Sequence, residues 1–286
     1  MTDAIAIKQL DTLEEFRACQ GVQRAAWQFP DLLIIPYTQL TSVQHNGGLV
    51  LGAFDGAEMV GFVFGYLGRG LLDGGDLYLF SQRMGVLPTH QGRGIGERLK
   101  WAQRAWALEQ GLEHVVWTYD PLEPPNAYLN IAKLGGIVRR YERDFYGMHH
   151  TPLHDRLPSD RFVVDWRLRS PRVLARLRPG GGPPAAGLPD GAGPPLNAVA
   201  WDERGLPRCD PPDLERDDPL LVVEVPAHWQ ALRQADMALA LDWRLFTRAV
   251  FEHYFARGYA VGGYVSRRFD GGRRNYYLLR RQDETR

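Results

Sequence analysis

The sequence reads as an α/β chain built on a mixed sheet, and three features carry that reading. Short apolar strands alternate with amphipathic helices along residues 1–150. The strand that ends at Val86 runs through a glycine-rich turn, Gln91-Gly92-Arg93-Gly94-Ile95-Gly96, straight into a helix whose Ile95, Leu99, Ala102 and Trp106 share one face. Further on, residues 151–286 hold a second set of strands and one long helix, interrupted by a stretch of proline and glycine.

Taken in order, residues 4–10 alternate as a strand, and Asp11-Thr12 ahead of Glu14-Glu15 reads as a helix start leading to Trp27, with Leu13, Phe16 and Cys19 turned inward. After a loop bounded by Pro30 and Pro36, residues 39–45 form a short helix and 49–54 a strand, and Asp55-Gly56 signals a hairpin into 59–67. Strand 76–86 feeds the glycine turn, and strand 114–119 follows its helix. Residues 124–134 read as a helix opened by proline and closed by Gly135-Gly136, before strand 137–146. In 179–195, twelve of seventeen residues are proline or glycine, which supports no packed element. A strand over 162–168 precedes that stretch, so it reads as an excursion inserted into a second unit. Beyond it come strand 220–225, helix 238–257 closed by Gly258, and strands 259–266 and 276–279. Strand, helix, strand repeats the centre of the first domain without its glycine turn. The second unit is therefore either a degenerate half-copy or an extra sheet.

A chain of 286 residues that is 44% hydrophobic can bury the core of one large or two modest domains. Acidic and basic residues balance at 34 each, so no electrostatic pull favours nucleic acid or an anionic membrane as partner. Cys19 and Cys209 make neither a disulfide framework nor a metal site. No window approaches the roughly 18 apolar residues of a membrane span, and the expectation is a soluble, cytoplasmic protein.

The glycine turn has the chemistry of an anion cradle. Without Cβ atoms, Gly92, Gly94 and Gly96 let amides crowd round an oxyanion, and the first turn of the helix adds its own N–H groups. Each such bond to a charged oxygen is worth roughly 1.5–3 kcal/mol, so converging amides hold a pyrophosphate without a lysine. A Walker loop needs a Lys-Ser or Lys-Thr that is absent here, and the GxGxxG of dinucleotide and kinase loops would need glycine at Glu97. What remains, Gln91-x-x-Gly94-x-Gly96 between an apolar strand and an amphipathic helix, resembles motif A of the GCN5-related N-acetyltransferase (GNAT) superfamily, the loop that binds the acyl-CoA pyrophosphate. The resemblance covers roughly residues 1–150. Trp117-Thr118-Tyr119-Asp120-Pro121-Leu122, the run 130–135 and Tyr146-Gly147 resemble a bacterial and archaeal subgroup with an extended C-terminal region.

The resemblance implies a GNAT fold, with the C-terminal unit as a degenerate GNAT-like copy if the half-copy reading holds. It implies acetyl-CoA or another acyl-CoA as co-substrate, with Gly92, Arg93, Gly94, Ile95 and Gly96 on the pyrophosphate and Gln91 in the same motif. The backbone at Met84, Gly85 and Val86 would pair with the pantetheine arm, although core packing accounts for the Met84 and Val86 side chains. Asn126 or Asn130 would bind the same arm, with helix capping as the alternative for Asn126. Many relatives carry a tyrosine acid where this chain has Ile131; Tyr128, Tyr141 and Tyr146 are the remaining tyrosines for that role. A lysine-like amine with a pKa of about 10.4 needs roughly 4–5 kcal/mol to lose its proton at neutral pH, and Asp120, ending its strand, is the leading base unless it is only a turn residue. Asp76 and Gln82 are weaker choices. Some relatives are associated with succinyl-CoA and free amino acids; Arg83, Arg139 or Arg143 would then take the donor's extra carboxylate.

The expected activity is thus transfer of an acetyl or succinyl group to the primary amine of a small molecule, an amino acid being the favoured acceptor. No metal, nucleic acid or membrane is implied, and a homodimer is left open. A CoA-binding regulator weakened at Ile131, and aminoacyl transfer by a tandem GNAT architecture, are the alternatives.

Overall fold

The computed structural model describes residues 5–72, 74–147, 157–178, 182–183, 187–269 and 272–281. By contacts the chain divides into two compact units, the first mainly Met1–Trp117 with Arg167–Arg169, the second including Thr118 onward and Ser170–Arg286.

The first unit opens with β1 (Ile5–Gln9) and α1 (Leu13–Trp27). Thr12 and Glu15 form a reciprocal capping box, Thr12 Oγ1 accepting the Glu15 N–H at 3.3 Å while the Glu15 carboxylate accepts the Thr12 N–H at 3.4 Å. After α2 (Tyr37–His45), β2 (Leu49–Asp55) turns through Gly56 into β3 (Glu58–Gly68), and β4 (Tyr78–Val86) leads to α3 (Ile95–Glu109) and β5 (His114–Tyr119). Strands β1 to β4 are antiparallel neighbours in chain order, and β5 runs parallel beside β4. Phe62 and Phe64 pack with Phe16, Cys19, Val22 and Leu40 of α1 and α2. Alternation along β3 sends Gly61 and Val63 to the opposite face, where α3 lies.

Three positions expected inward differ from the periodicity. Leu13 is 49% exposed because it is the first residue of α1, ahead of the turn that contacts the sheet. On α3, Ala102 and Trp106 are half-buried while Lys100, Gln103 and Ala107 are buried. The buried Lys100 is accommodated on the core side by two acceptors: its Nζ donates to Gln103 Oε1 at 2.8 Å and to Ser81 Oγ at 3.0 Å.

The second unit contains α4 (Pro124–Ala127), which passes directly into a π-helical turn over Tyr128–Lys133, then β6 (Ile137–Glu142), β7 (Arg161–Arg167) and α5 (Pro171–Leu177). A small hairpin, β8 (Val199–Trp201) and β9 (Pro207–Cys209), precedes β10 (Leu220–Val225), α6 (Trp229–Ala235), α7 (Met237–Ala256), β11 (Tyr259–Phe269) and β12 (Gly272–Arg281). Its strands lie in the order β7, β6, β11, β12, β10. Because β6 pairs with β7 and with β11, it groups by contact with the C-terminal strands, and the division falls within β5 rather than at residue 150. The core is aromatic: Phe162 meets Phe251 edge-on at 4.6 Å between ring centroids and Tyr277 at 5.5 Å.

The strand order around α7 differs from that around α3. In the first unit the strands flanking α3, β4 and β5, are adjacent and parallel; in the second, β12 lies between β10 and β11 and is antiparallel to both. The C-terminal strands have an order of their own, β11-β12-β10.

Candidate functional site

The glycine turn builds an open helix end. Gly92 and Gly94 sit at φ +78° and +77°, the left-handed region that a Cβ disfavours, and Gly94 is the N-cap of α3 without a side chain to cap it. The first bond inside the helix runs from the Arg98 N–H to the Gly94 carbonyl at 3.1 Å, so the amides of Ile95 and Gly96 find no acceptor within the helix. Nothing lies within 4 Å of a Cβ placed on Gly92 or Gly94, so the space above the turn is clear. Of the other predicted loop residues, Gln91 donates its amide to the Val86 carbonyl at 3.1 Å, and the Arg93 guanidinium stands 3.6 Å from Asp55. Their side chains brace the turn, and their backbone is what it offers a ligand.

The strand before the turn is deformed. Phe64 pairs with Arg83 and Tyr66 with Phe80, so Ser81 and Gln82 together oppose Gly65 alone, a β-bulge in β4. Gly65 permits it, since a Cβ there would stand 2.8 Å from the Phe80 carbonyl oxygen. Among the described residues the β4–β5 ladder is confined to Leu79↔Val115 and Phe80↔Val116, just before the bulge. Gln82, Arg83, Met84, Gly85 and Val86 then run on with the edge towards β5 outside that ladder. Gly85 itself answers to packing, because a Cβ would come 2.9 Å from the Trp27 ring. Beneath the bulge Lys100 is 2% exposed, 3.6 Å from the centre of the Trp117 ring, and burial holds its pKa well below that of a free lysine. Sequence reasoning passed over this residue, although it is one of three lysines in the chain.

In the second unit the predicted catalytic residues are dispersed. The expectation that Asp120 faces a cleft is corrected: it is 3% exposed, and its oxygens accept from Arg244 at 2.8 and 2.5 Å while Oδ1 also accepts the Leu122 N–H at 2.9 Å. Burial alone would raise its pKa, but the Arg244 guanidinium holds it below the usual carboxylate value, making a fixed anion rather than a proton acceptor. Tyr141 donates its hydroxyl to Asp160 at 2.7 Å, and burial drives its pKa upward. Tyr146 is 39% exposed beside Phe145, and Ile131 is fully buried. The helix carrying the asparagines turns π-helical, with the Leu134 N–H bonding back five residues to the Leu129 carbonyl, so Asn126 and Asn130 are not one regular turn apart. Asn126 is exposed and Asn130 buried. The three arginines proposed for a second carboxylate have partners: Arg143 holds Glu252, Arg139 lies 3.8 Å from Asp165, and Arg83 donates to Gln23 and the Leu33 carbonyl.

The residue that sequence reasoning missed is Glu123, the N-cap position of α4. It lines a cavity of about 600 Å³ together with Tyr128 and side chains of α6, β11 and β12. Burial, reinforced by the nearby Asp120 charge, raises its pKa to about 7, and Gln230 donates to its carboxylate. Its position between Leu122 and two prolines reads only as a turn, and its neighbours come from residues more than a hundred places later in the chain.

Residues 10–128 match the acetyltransferase (GNAT) family. The matched stretch holds the glycine turn and α3 and is less than half of the chain. No curated protein matches the chain. Solved structures that resemble it include the Escherichia coli ribosomal-protein-S18-alanine N-acetyltransferase, at 16% identity and a TM-score of 0.43 over 58% of this chain and 95% of that one. An N-acetyltransferase from Staphylococcus aureus Mu50 gives 14%, a TM-score of 0.45, and 58% and 99% coverage. Salmonella typhimurium yncA, solved with its cofactor acetyl-CoA, gives 18%, 0.46, and 58% and 95%. Among the described residues no group of three or more His, Cys, Asp or Glu could hold a metal ion, and no helix is long and apolar enough to cross a membrane.

Proposed function

We propose that this GNAT domain moves an acyl group from acyl-CoA to the primary amine of a small molecule. The observation that carries the reading is the uncapped end of α3, held open by two left-handed glycines directly after a bulged strand. Bound there, the coenzyme supplies an activated thioester carbonyl. The amides from Gly92 to Gly96 bind its pyrophosphate, since several N–H groups converge where no protein acceptor competes. The backbone of Met84 to Val86 has strand geometry and an edge outside the β4–β5 ladder, which suits it to pair with the pantetheine amides and to polarise the carbonyl through one N–H. Asn130 keeps its proposed role towards the same arm. The donor is acetyl-CoA or succinyl-CoA.

Release of free CoA thiol from acetyl-CoA and succinyl-CoA, each against a pool of amino acids, tests this, with Gly94→Trp as control and its melting temperature as a check on folding. Amine-dependent release by the native protein and none by the variant is expected. Buried Ile131 in place of a tyrosine favours a second reading, a CoA-binding regulator. Tight CoA binding with no release for any amine would select it and overturn the first.

A further inference from the structure

We propose that Lys100 is a positioning residue for the coenzyme: its amine, lodged between Ser81 of β4 and Trp117 of β5, parts the two strands and keeps the edge of residues 82–86 open for the pantetheine arm. The proposal rests on the reading that this edge takes the arm, and on the geometry of the first unit for the role of Lys100.

The parallel ladder between β4 and β5 ends where the amine lies. Its rungs are Leu79↔Val115 and Phe80↔Val116, so the next rung in register would join Ser81 to Trp117. Residues in register on neighbouring strands turn their side chains to one face, and Lys100 reaches this pair from α3. Its Nζ stands 3.0 Å from Ser81 Oγ and 3.6 Å from the centre of the Trp117 ring. A side-chain bridge thus takes the place of the rung. On the other side of β4, Ser81 and Gln82 together oppose Gly65, so the bulge and the end of the ladder coincide.

A residue that only filled the core here would be apolar. Lysine is rarely buried because its charge loses its water, and burial holds the pKa of Lys100 well below that of a free lysine. The amine is tolerated because two elements offer it acceptors, Ser81 of β4 and the fully buried Gln103, three residues along α3, at 2.8 Å. Bonded to both, a long and flexible side chain is fixed in one direction. Methionine in its place would fill the volume but leave the Ser81 hydroxyl without this donor, and the bridge between the strands would be gone.

The parted strand also carries a group in need of a partner. Gln82, the second residue of the bulge, has a buried side-chain oxygen with no hydrogen-bond partner among the described residues. Buried acceptors are rarely left open, and the pantetheine arm brings amide N–H groups that would complete this one.

Calorimetric titration of the full chain with CoA, and with 3′-phospho-ADP, which has the nucleotide and phosphates of CoA but no arm, is the test. The native protein is expected to bind CoA about tenfold tighter, the worth of one or two net hydrogen bonds made by the arm. Lys100→Met is expected to lose most of that difference, with CoA affinity falling about tenfold and nucleotide affinity changing by less than about twofold. Ser81→Ala removes the acceptor and is expected to lower CoA affinity about threefold, and the double variant to bind CoA no more weakly than Lys100→Met, since both act through one contact. Lys100→Met that keeps the native preference for CoA overturns the proposal and leaves the coenzyme reading standing. Equal weakening of both ligands marks a structural role and overturns it too. If Lys100→Met does not melt cooperatively, Ser81→Ala decides, and an unchanged preference for CoA there overturns the proposal. A native protein that binds the two ligands equally, or neither, overturns the reading of the edge and the proposal with it.

Discussion

Both units contain a strand, a helix and a strand in succession, but the helix ends are finished differently. At α7 the N-terminus is closed by the chain itself: Asp236 accepts the Leu239 N–H at 2.9 Å and also holds Arg204 at 2.6 Å. At α3 the equivalent place is Gly94, which has no side chain to offer. A helix end with a carboxylate cap has spent its partial positive charge on its own side chain, whereas one capped by glycine keeps it for an anion from outside. The buried charges repeat the contrast. The second unit closes Asp120 on Arg244, Asp160 on Arg248 and Glu224 on Arg274, leaving Glu123 poised, while the first unit offers its polar groups as backbone amides.

The strongest way to expose the closed ion pairs is Arg244→Met. It strands the Asp120 carboxylate in the interior and is expected to cost about 3–5 kcal/mol, read by urea unfolding. Adding Asp120→Asn should recover most of that loss; no recovery would mean that Arg244 stabilises through packing alone.

Gly94→Asp would convert the open helix end into a closed one. CoA affinity is expected to fall by about a hundredfold, roughly the loss of one or two charge-assisted hydrogen bonds plus repulsion of the pyrophosphate. Direct titration of CoA reads the effect, and unchanged affinity would remove the loop from the coenzyme site.

The pH dependence sharpens the contrast at Glu123. Because its carboxyl binds a proton up to about pH 7 when folded and only to its ordinary 4.5 when unfolded, it favours folding below about 4.5, and that contribution is lost as pH rises to about 7. The loss is expected to be about 3 kcal/mol and to be missing from Glu123→Gln. Matching stability profiles for the two proteins would place the titration elsewhere.

The smallest effect is the reverse experiment on α7. Asp236→Ala should cost about 1 kcal/mol of stability through the lost cap and leave CoA affinity untouched. A gain in CoA binding would show that an open helix end suffices without the glycine turn.

The first unit was legible because its signals are local. Thr12 and Glu15 mark the start of α1, Asp55-Gly56 marks a hairpin, and the left-handed turn into α3 needs glycine at 92 and 94. The second unit was legible as elements, with β10 found at its full extent, but α5, α6 and the β8–β9 hairpin were not anticipated. Its catalytic expectations fared worst, since Asp120 and Tyr141 are defined by Arg244 and Asp160, partners that no spacing reveals.

Residue order therefore decided the coenzyme loop, because backbone conformation and helix capping act over a few neighbouring positions. The folded chain decided which carboxylate is a fixed anion and which titrates near 7. Asp120 and Glu123 are three residues apart with similar intrinsic chemistry, and they differ because an arginine of α7 reaches one while burial and the charge of the first raise the other.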